Sequence, residues 1–275
     1  MANISTTRIA TTDRAAAPLA DASDFLVKGR TELKYSVPGR IADAVLHVAR
    51  GYLRYDAFAL GPQQLVTSLY LDTAHLTFLR WHRERVVDRF KLRIRRYGDH
   101  PAPTLYAEVK RKTGSIVRKH RAAFPADALH AVLGGVPPTN AEGWACASEL
   151  EGRVLFDPAP IAEFMRHRSW CDAVPTMLVA CVRESLRDLR DGTAVTVDRE
   201  LRYQPTCRGD FIGEGGTWRP IPLPDAFGHA SALLELKHVL QPEPWMATLI
   251  EQLAPWRVSF SKYAAAMTAS APAAC

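Results

Sequence analysis

The sequence is poor in the residue patterns that build most metal and disulfide sites. Its 275 residues hold five cysteines, Cys146, Cys171, Cys181, Cys207 and Cys275, with no CxxC pair and no zinc-type spacing. An odd count of scattered thiols without a secretory signal reads as reduced cysteine in a cytoplasmic protein. Nine histidines form no HExxH or His-x-x-x-His pattern, which argues against a zinc enzyme. No run of about 18 apolar residues occurs, so no helical membrane span is expected. Residues 1–22 are rich in Ala, Thr and Ser and lack the apolar stretch of a signal peptide; they are expected to form a disordered arm. Residues 268–275 are expected to fray. Internal repeats of fixed period are absent too.

What the chain does have is apolar content and positive charge. Hydrophobic residues make up 47%, enough for a core. The formal net charge is +6 and the pI about 9.2. An anionic partner follows, whether phosphate compound, nucleic acid or membrane surface.

The positive charge is patterned. In Arg89–Tyr97 (RFKLRIRRY), Arg89, Lys91, Arg93 and Arg95 share one parity, and Phe90, Leu92 and Ile94 the other. A period of two predicts a β-strand with one apolar and one cationic face. Such a face is either the wet side of an antiparallel sheet or the lining of a polyanion site.

Further alternating stretches predict strands at Phe25–Tyr35, Leu65–Asp72, Thr104–Arg111, Ile116–Phe124, Pro175–Ser185, Thr193–Leu201 and Ala232–Leu240. Helical stripes are predicted after Pro38, from Thr73, after Pro125, intermittently over 142–168, after Pro242 and Pro244, and at the C-terminus. No linker divides the chain, so residues 23–267 are expected to form one domain, and its many antiparallel strands need a closed barrel or a sandwich. Three strands carry Glu-x-Lys on one face: Glu32/Lys34, Glu108/Lys110 and Glu235/Lys237. Solvent-face ion pairs would explain them blandly. Arg183 in an apolar strand, and Lys119 and Arg121 on one parity, fit the alternative better, in which charged faces point into a barrel and helices cover the apolar outside. Such an interior needs water or an anion, because bare cations are costly to desolvate. A polyphosphate would satisfy it, and the interspersed carboxylates would bind a divalent cation. A narrow charged barrel does not admit a nucleic-acid duplex, and no aromatic–basic RNP pattern is present. Asp72 and Asp198 read as turn or cap residues rather than ligands.

Taken in order, Glu32-Leu-Lys34-Tyr35, Ser68-Leu-Tyr70-Leu-Asp72-Thr73, Lys91-Leu-Arg93-Ile-Arg95-Arg96-Tyr97-Gly98, Glu108-Val-Lys110-Arg-Lys112, Val195-Thr196-Val-Asp198, Leu234-Glu235-Leu-Lys237 and Phe260-Ser261-Lys262-Tyr263 resemble the VTC domain. That domain is the polyphosphate polymerase core of vacuolar transporter chaperone complexes, in the triphosphate tunnel metalloenzyme superfamily. The resemblance spans about residues 23–266. It implies an α+β fold: a closed antiparallel eight-stranded β-barrel, the tunnel, with helices packed on the outside. It also implies that Lys34, Arg93, Arg95, Lys110, Arg183, Lys237 and Lys262 contact phosphates, with Ser261 beside them. Glu235 matches a metal-binding carboxylate, with Glu32 and Glu108 as weaker metal candidates, for Mn2+ or Mg2+. Lys119, Arg121 and Lys91 join the phosphate-binding set, Lys91 together with Arg89 guiding anions at the mouth.

The expected activity is transfer of the γ-phosphoryl group of ATP to a growing inorganic polyphosphate chain. Arg93, Arg95, Lys34 and Lys110 are the expected catalytic groups. A triphosphatase on inorganic or nucleoside triphosphates, or a binding module without turnover, are the alternatives. Hydrolase and cyclase members of the superfamily open with Glu-x-Glu-x-Lys, and Arg30 stands at the first glutamate position, which favours the polymerase-like branch. Neither an SPX-type regulatory domain before the core nor a membrane segment after it is read in the sequence, so delivery across a membrane is not implied.

Overall fold

The computed structural model describes residues 31–56, 61–98, 102–114, 116–136, 147–150, 153–156, 159–188, 190–206, 211, 217–239 and 241–270. The predicted N-terminal arm, Arg30 and the tail 271–275 lie outside these residues.

Among the described residues, twelve strands and six α-helices follow one another along the chain. The strands are β1 (Thr31–Val37), β2 (Arg54–Tyr55), β3 (Gln63–Asp72), β4 (Asp88–Tyr97), β5 (Thr104–Thr113), β6 (Ile116–Pro125), β7 (Ala147–Leu150), β8 (Arg153–Phe156), β9 (Val174–Arg187), β10 (Ala194–Pro205), β11 (Arg219–Pro220) and β12 (Ala232–His238). The helices are α1 (Gly39–Arg50), α2 (Thr77–Arg83), α3 (Leu129–Gly134), α4 (Ala159–Trp170), α5 (Pro244–Gln252) and α6 (Lys262–Ser270). The last helix runs past the predicted domain end at residue 267. Where helical periodicity was expected from residue 142, β7 and β8 form a small antiparallel hairpin.

The main sheet is antiparallel in the order β1-β12-β10-β9-β3-β4-β5-β6. Laid flat, β1 and β5 would stand six strand spacings, or about 29 Å, apart. Yet Lys110 Nζ on β5 lies 3.0 Å from Glu32 Oε2 on β1. The sheet therefore curls almost fully around. Among the described residues no ladder joins β1 to β6, so the predicted closed barrel is corrected to a curled sheet whose seam is crossed by side chains. Gly114, with φ +60, makes the tight β5–β6 turn that a Cβ would strain.

The apolar parity of each strand faces out and is covered. Phe90, Leu92, Ile94, Val109 and Phe124 pack with Phe78 of α2, Val132 of α3 and Phe164 of α4. Leu33, Tyr35, Leu234 and Leu236 pack with Ala42, Val45, Leu46 and Ala49 of α1 and Met246 of α5. The α1 residues follow the i, i+3, i+4, i+7 stripe that turns one helical face to a sheet. Helix α6 departs from the outside-only expectation. Its Tyr263 and Ala266 pack against Val66, Tyr70, Val179, Cys181 and Leu233, which share the inner parity with the charged residues. No helix among the described residues is long and apolar enough to cross a membrane.

Asp72 ties this arrangement together. Its carboxylate accepts from the backbone N–H groups of Thr73 (2.8 Å), Phe78 (2.8 Å) and Leu79 (3.0 Å), and from the Tyr263 hydroxyl (2.7 Å). The expected cap role holds for Asp72, and it extends to docking α6. Asp72→Ala is expected to cost about 2 kcal/mol in urea unfolding, as loss of a strong cap does. Asp43→Ala, at an exposed pair with Arg199, is expected to change nothing measurable.

Candidate functional site

Register explains why the charged residues meet. In the β3–β4 ladder Ser68 stands opposite Arg95 and Tyr70 opposite Arg93. In β4–β5, Arg93 faces Glu108 and Lys91 faces Lys110. In β5–β6, Glu108 faces Arg121 and Lys110 faces Lys119. On the other side Asp198 faces Arg183, Thr196 faces Glu235, and Lys34 faces Glu235 while Glu32 faces Lys237. Directly opposed residues share a face. One inner surface thus collects every site residue expected from the strands, and the start of α6 adds Lys262, with Ser261 just before it, through their contacts with Asp198 and Lys91.

Two knots of charge form there. Glu108, 1% exposed, accepts from Arg93 Nε at 2.6 Å. Its other oxygen lies 2.9 Å from Lys119 Nζ, 3.6 Å from Arg121 Nε and 4.0 Å from Arg95 Nη1. Burial alone would push the Glu108 carboxyl up; Arg93, Arg95, Lys119 and Arg121 overcome this and hold it well below the usual carboxylate range. The second knot holds Glu235, Asp198 and Glu32. Glu235 lies 2.6 Å from Lys237 Nζ and 3.6 Å from both Lys34 and Lys262 Nζ. Burial opposes its charge, and Lys237, Lys262, Lys34 and Arg183 restore it, again well below the ordinary value. Asp198 takes Arg183 at 2.6 and 2.8 Å and also Lys262. Glu32 bridges Lys34 at 3.2 Å and Lys110 at 3.0 Å.

Four carboxylates, Glu32, Glu108, Asp198 and Glu235, therefore share one face with Lys34, Lys91, Arg93, Arg95, Lys110, Lys119, Arg121, Arg183, Lys237 and Lys262. Cations outnumber carboxylates by more than two to one. An enclosed surface with that surplus attracts a polyanion strongly, because the low dielectric magnifies each charge.

Sequence reasoning missed several participants. Asp198, set aside as a turn residue, is fully buried in the second knot. The alternation of Thr196 and Asp198 with Val195 and Val197 carried the signal. Tyr70 accepts from Arg93 Nη1 at 3.2 Å and stacks on Tyr263 with centroids 5.0 Å apart. Tyr97 accepts from Arg95 at 3.3 Å and Arg121 at 3.0 Å, so hydroxyls aim the guanidinium groups.

The donor set bears on metal binding. Glu32 and Glu235 sit on adjacent strands two register positions apart; burial and the Glu235 charge oppose ionisation of Glu32, and Lys237, Lys110 and Lys34 overcome both and hold its carboxyl below the usual range. A pair of neighbouring carboxylates suits a hard divalent ion that draws its remaining ligands from phosphate and water. Among the described residues no group of three or more potential ligands occurs, so the fit is to a pair rather than a cage. Glu108 fits less well, since among the described residues its charged partners are all cations and no second carboxylate stands beside it to share the ion.

The family model of the VTC domain matches residues 29–271. The chain belongs to the VTC domain family. No curated protein compared with it matches. Among solved structures, a putative adenylate cyclase from Bacillus halodurans is similar at 9% identity and TM-score 0.45, covering 85% of this chain and 94% of that one. A conserved hypothetical protein from Pyrococcus furiosus gives 9% identity and TM-score 0.39 over 86% and 99% of the two chains. The Schizosaccharomyces pombe Mediator head module gives 12% and 0.36 over 83% and 96%.

In this VTC domain Glu108→Gln removes the carboxylate that separates four cations. Stability without ligand is expected to fall by about 3 kcal/mol, as for a broken buried pair, and tripolyphosphate should recover most of the loss in urea titrations. An unchanged midpoint would contradict the role given to Glu108. The sign with pH follows. Glu108, Glu235 and Asp198 have depressed folded-state values. The stability they contribute is complete above the unfolded carboxylate range, near pH 4, and is lost as pH falls below it.

Proposed function

We propose that this VTC domain is a polyphosphate polymerase, which binds ATP along the inner face and transfers its γ-phosphoryl group to the end of an inorganic polyphosphate chain. The observation that supports this most is the cation surplus on one enclosed face, arranged around carboxylates rather than spread over the surface. Phosphoryl transfer needs little covalent help from protein; alignment and charge stabilisation supply most of the rate. Arg93 and Arg95, aimed by Tyr70, Tyr97 and Ser68, hold the transferred group. Lys34, Lys110, Lys237 and Lys262 neutralise the neighbouring phosphates as these displace the internal ion pairs. Arg183, Lys119, Arg121 and Ser261 extend the track. A terminal phosphate oxygen of the acceptor is the nucleophile, so no protein nucleophile is required. Glu235 and Glu32 would hold the divalent ion, manganese or magnesium, which supplies charge neutralisation between phosphate oxygens. Glu108 serves as the counter-ion that positions Arg93 and Arg95.

Incubation of the purified protein with ATP and Mn2+ should yield ADP and long polyphosphate on a gel. Arg93→Ala or Arg95→Ala is expected to slow this about 100-fold or more, in the range lost with one transition-state donor. Orthophosphate as the sole phosphate product would assign a triphosphatase instead. Tight binding of tripolyphosphate with no turnover would assign a binding module.

A further inference from the structure

Lys91 differs from the other cations of the inner face. Lys34, Arg93, Lys110, Lys119, Arg183, Lys237 and Lys262 each have a carboxylate within ion-pair distance. Lys91 has none among the described residues. Its Nζ instead donates to Ser261 Oγ at 2.8 Å. In register it stands opposite another lysine, Lys110. The groups that face it are positive from every side: Arg89 and Arg93 on its own strand, Lys110 on β5 and Lys34 on β1. The carboxylates of neighbouring strands are already committed, Glu32 to Lys34 and Lys110 and Glu108 to Arg93 and Lys119. His82, near the end of α2, experiences the same field. Burial and the charges of Lys91, Arg89, Lys34 and Lys112 push it down to about 4, so it offers no negative charge and no proton.

A half-buried ammonium ion in such surroundings has little to hold its proton. Burial first, then Lys34, Lys110, Arg89 and Arg93, push the Lys91 amine down to about 7. Polyphosphate supplies the missing anion, because phosphate oxygens neutralise the surrounding lysines and arginines and accept from Nζ directly. We propose that Lys91 takes up a proton from solvent when a polyphosphate anion enters, so that this site binds its ligand and a proton together. The inference rests on the phosphate-binding reading above. It adds a linkage: the amine neutral in the empty site becomes ammonium in the filled one, and affinity falls as pH rises through the neutral range.

The test is calorimetric binding of inorganic tripolyphosphate at about pH 8, in two buffers of different ionisation enthalpy, to the wild type and to Lys91→Arg. Arginine carries its charge at all these pH values, so its binding heat contains only the protons taken up by the ligand and the other groups. The wild type should take up close to one proton more than the variant. Its affinity should fall relative to the variant by up to about tenfold per pH unit above neutrality, the slope of one linked proton. Lys91→Gln, neutral and unable to titrate, should lose the extra proton as Lys91→Arg does. Binding with equal uptake in all three proteins would overturn this inference and leave the proposed function standing. Absence of tripolyphosphate binding to the wild type would overturn both.

Discussion

Cations gathered on the inside of a curled sheet repel one another, and the whole molecule is organised around that repulsion. Strand β4 carries positive side chains at every second position from Arg89 to Arg95, β1, β5, β6, β9 and β12 add Lys34, Lys110, Lys119, Arg121, Arg183 and Lys237 to the same face, and curling brings them closer than a flat sheet would. Carboxylates stand between the cations: Glu108 among Arg93, Arg95, Lys119 and Arg121, and Glu235 with Asp198 among Lys34, Arg183, Lys237 and Lys262. These pairs are internal substitutes for a ligand. They leave a positive surplus, and the surplus is what makes an enclosed polyanion favourable. The same device acts near the open edge, since the Lys110–Glu32 pair joins β5 to β1, two strands that no described ladder connects.

The opposite parity of the same strands pays the cost of this arrangement. Burial of each large aliphatic or aromatic side chain contributes on the order of 2 kcal/mol, and the outer faces bury many against α1 to α5. The inner face is not charged throughout. Where β3, β9 and β10 carry Val66, Val179 and Leu201, helix α6 fills the space with Tyr263 and Ala266. Its N-terminal end then reaches the charged region, where Lys262 meets Asp198 and Ser261, the residue before the helix, meets Lys91. Helix α6 is both a packing element and a supplier of site residues, and Asp72 holds it through Tyr263.

Much of this was legible in the sequence because β-strands alternate. The parity of Arg89–Tyr97 and the three Glu-x-Lys pairs was enough to place Glu32, Lys34, Arg93, Glu108, Lys110, Glu235 and Lys237 on a common side. Sequence parity cannot say which strands become neighbours. For that reason the pairing of Arg183 with Asp198, and the grouping of four cations on Glu108, came only with the register. Asp198 was misread because an aspartate has a common local role in turns and caps, whereas here it lies inside β10 and is held by long-range partners. The inward placement of α6 was hidden for a similar reason. The helix itself was expected, but an alanine-rich helix has no strong stripe to show which side of the sheet it packs on, and the small side chains that let it enter a narrow space carry no such signal. The open seam depended on pairing between β1 and β6, which alternation does not encode.

The central claim is that the charged parity of the sheet encloses the ligand. A crystal structure of the protein soaked with tripolyphosphate tests it most directly. The account predicts three phosphorus positions on the inner face, with oxygens on Arg93, Arg95 and the lysines around Glu235, and with at least one of the internal ion pairs opened. Tripolyphosphate bound only to exposed lysines and arginines of the outer surface, with every internal pair intact, would contradict it.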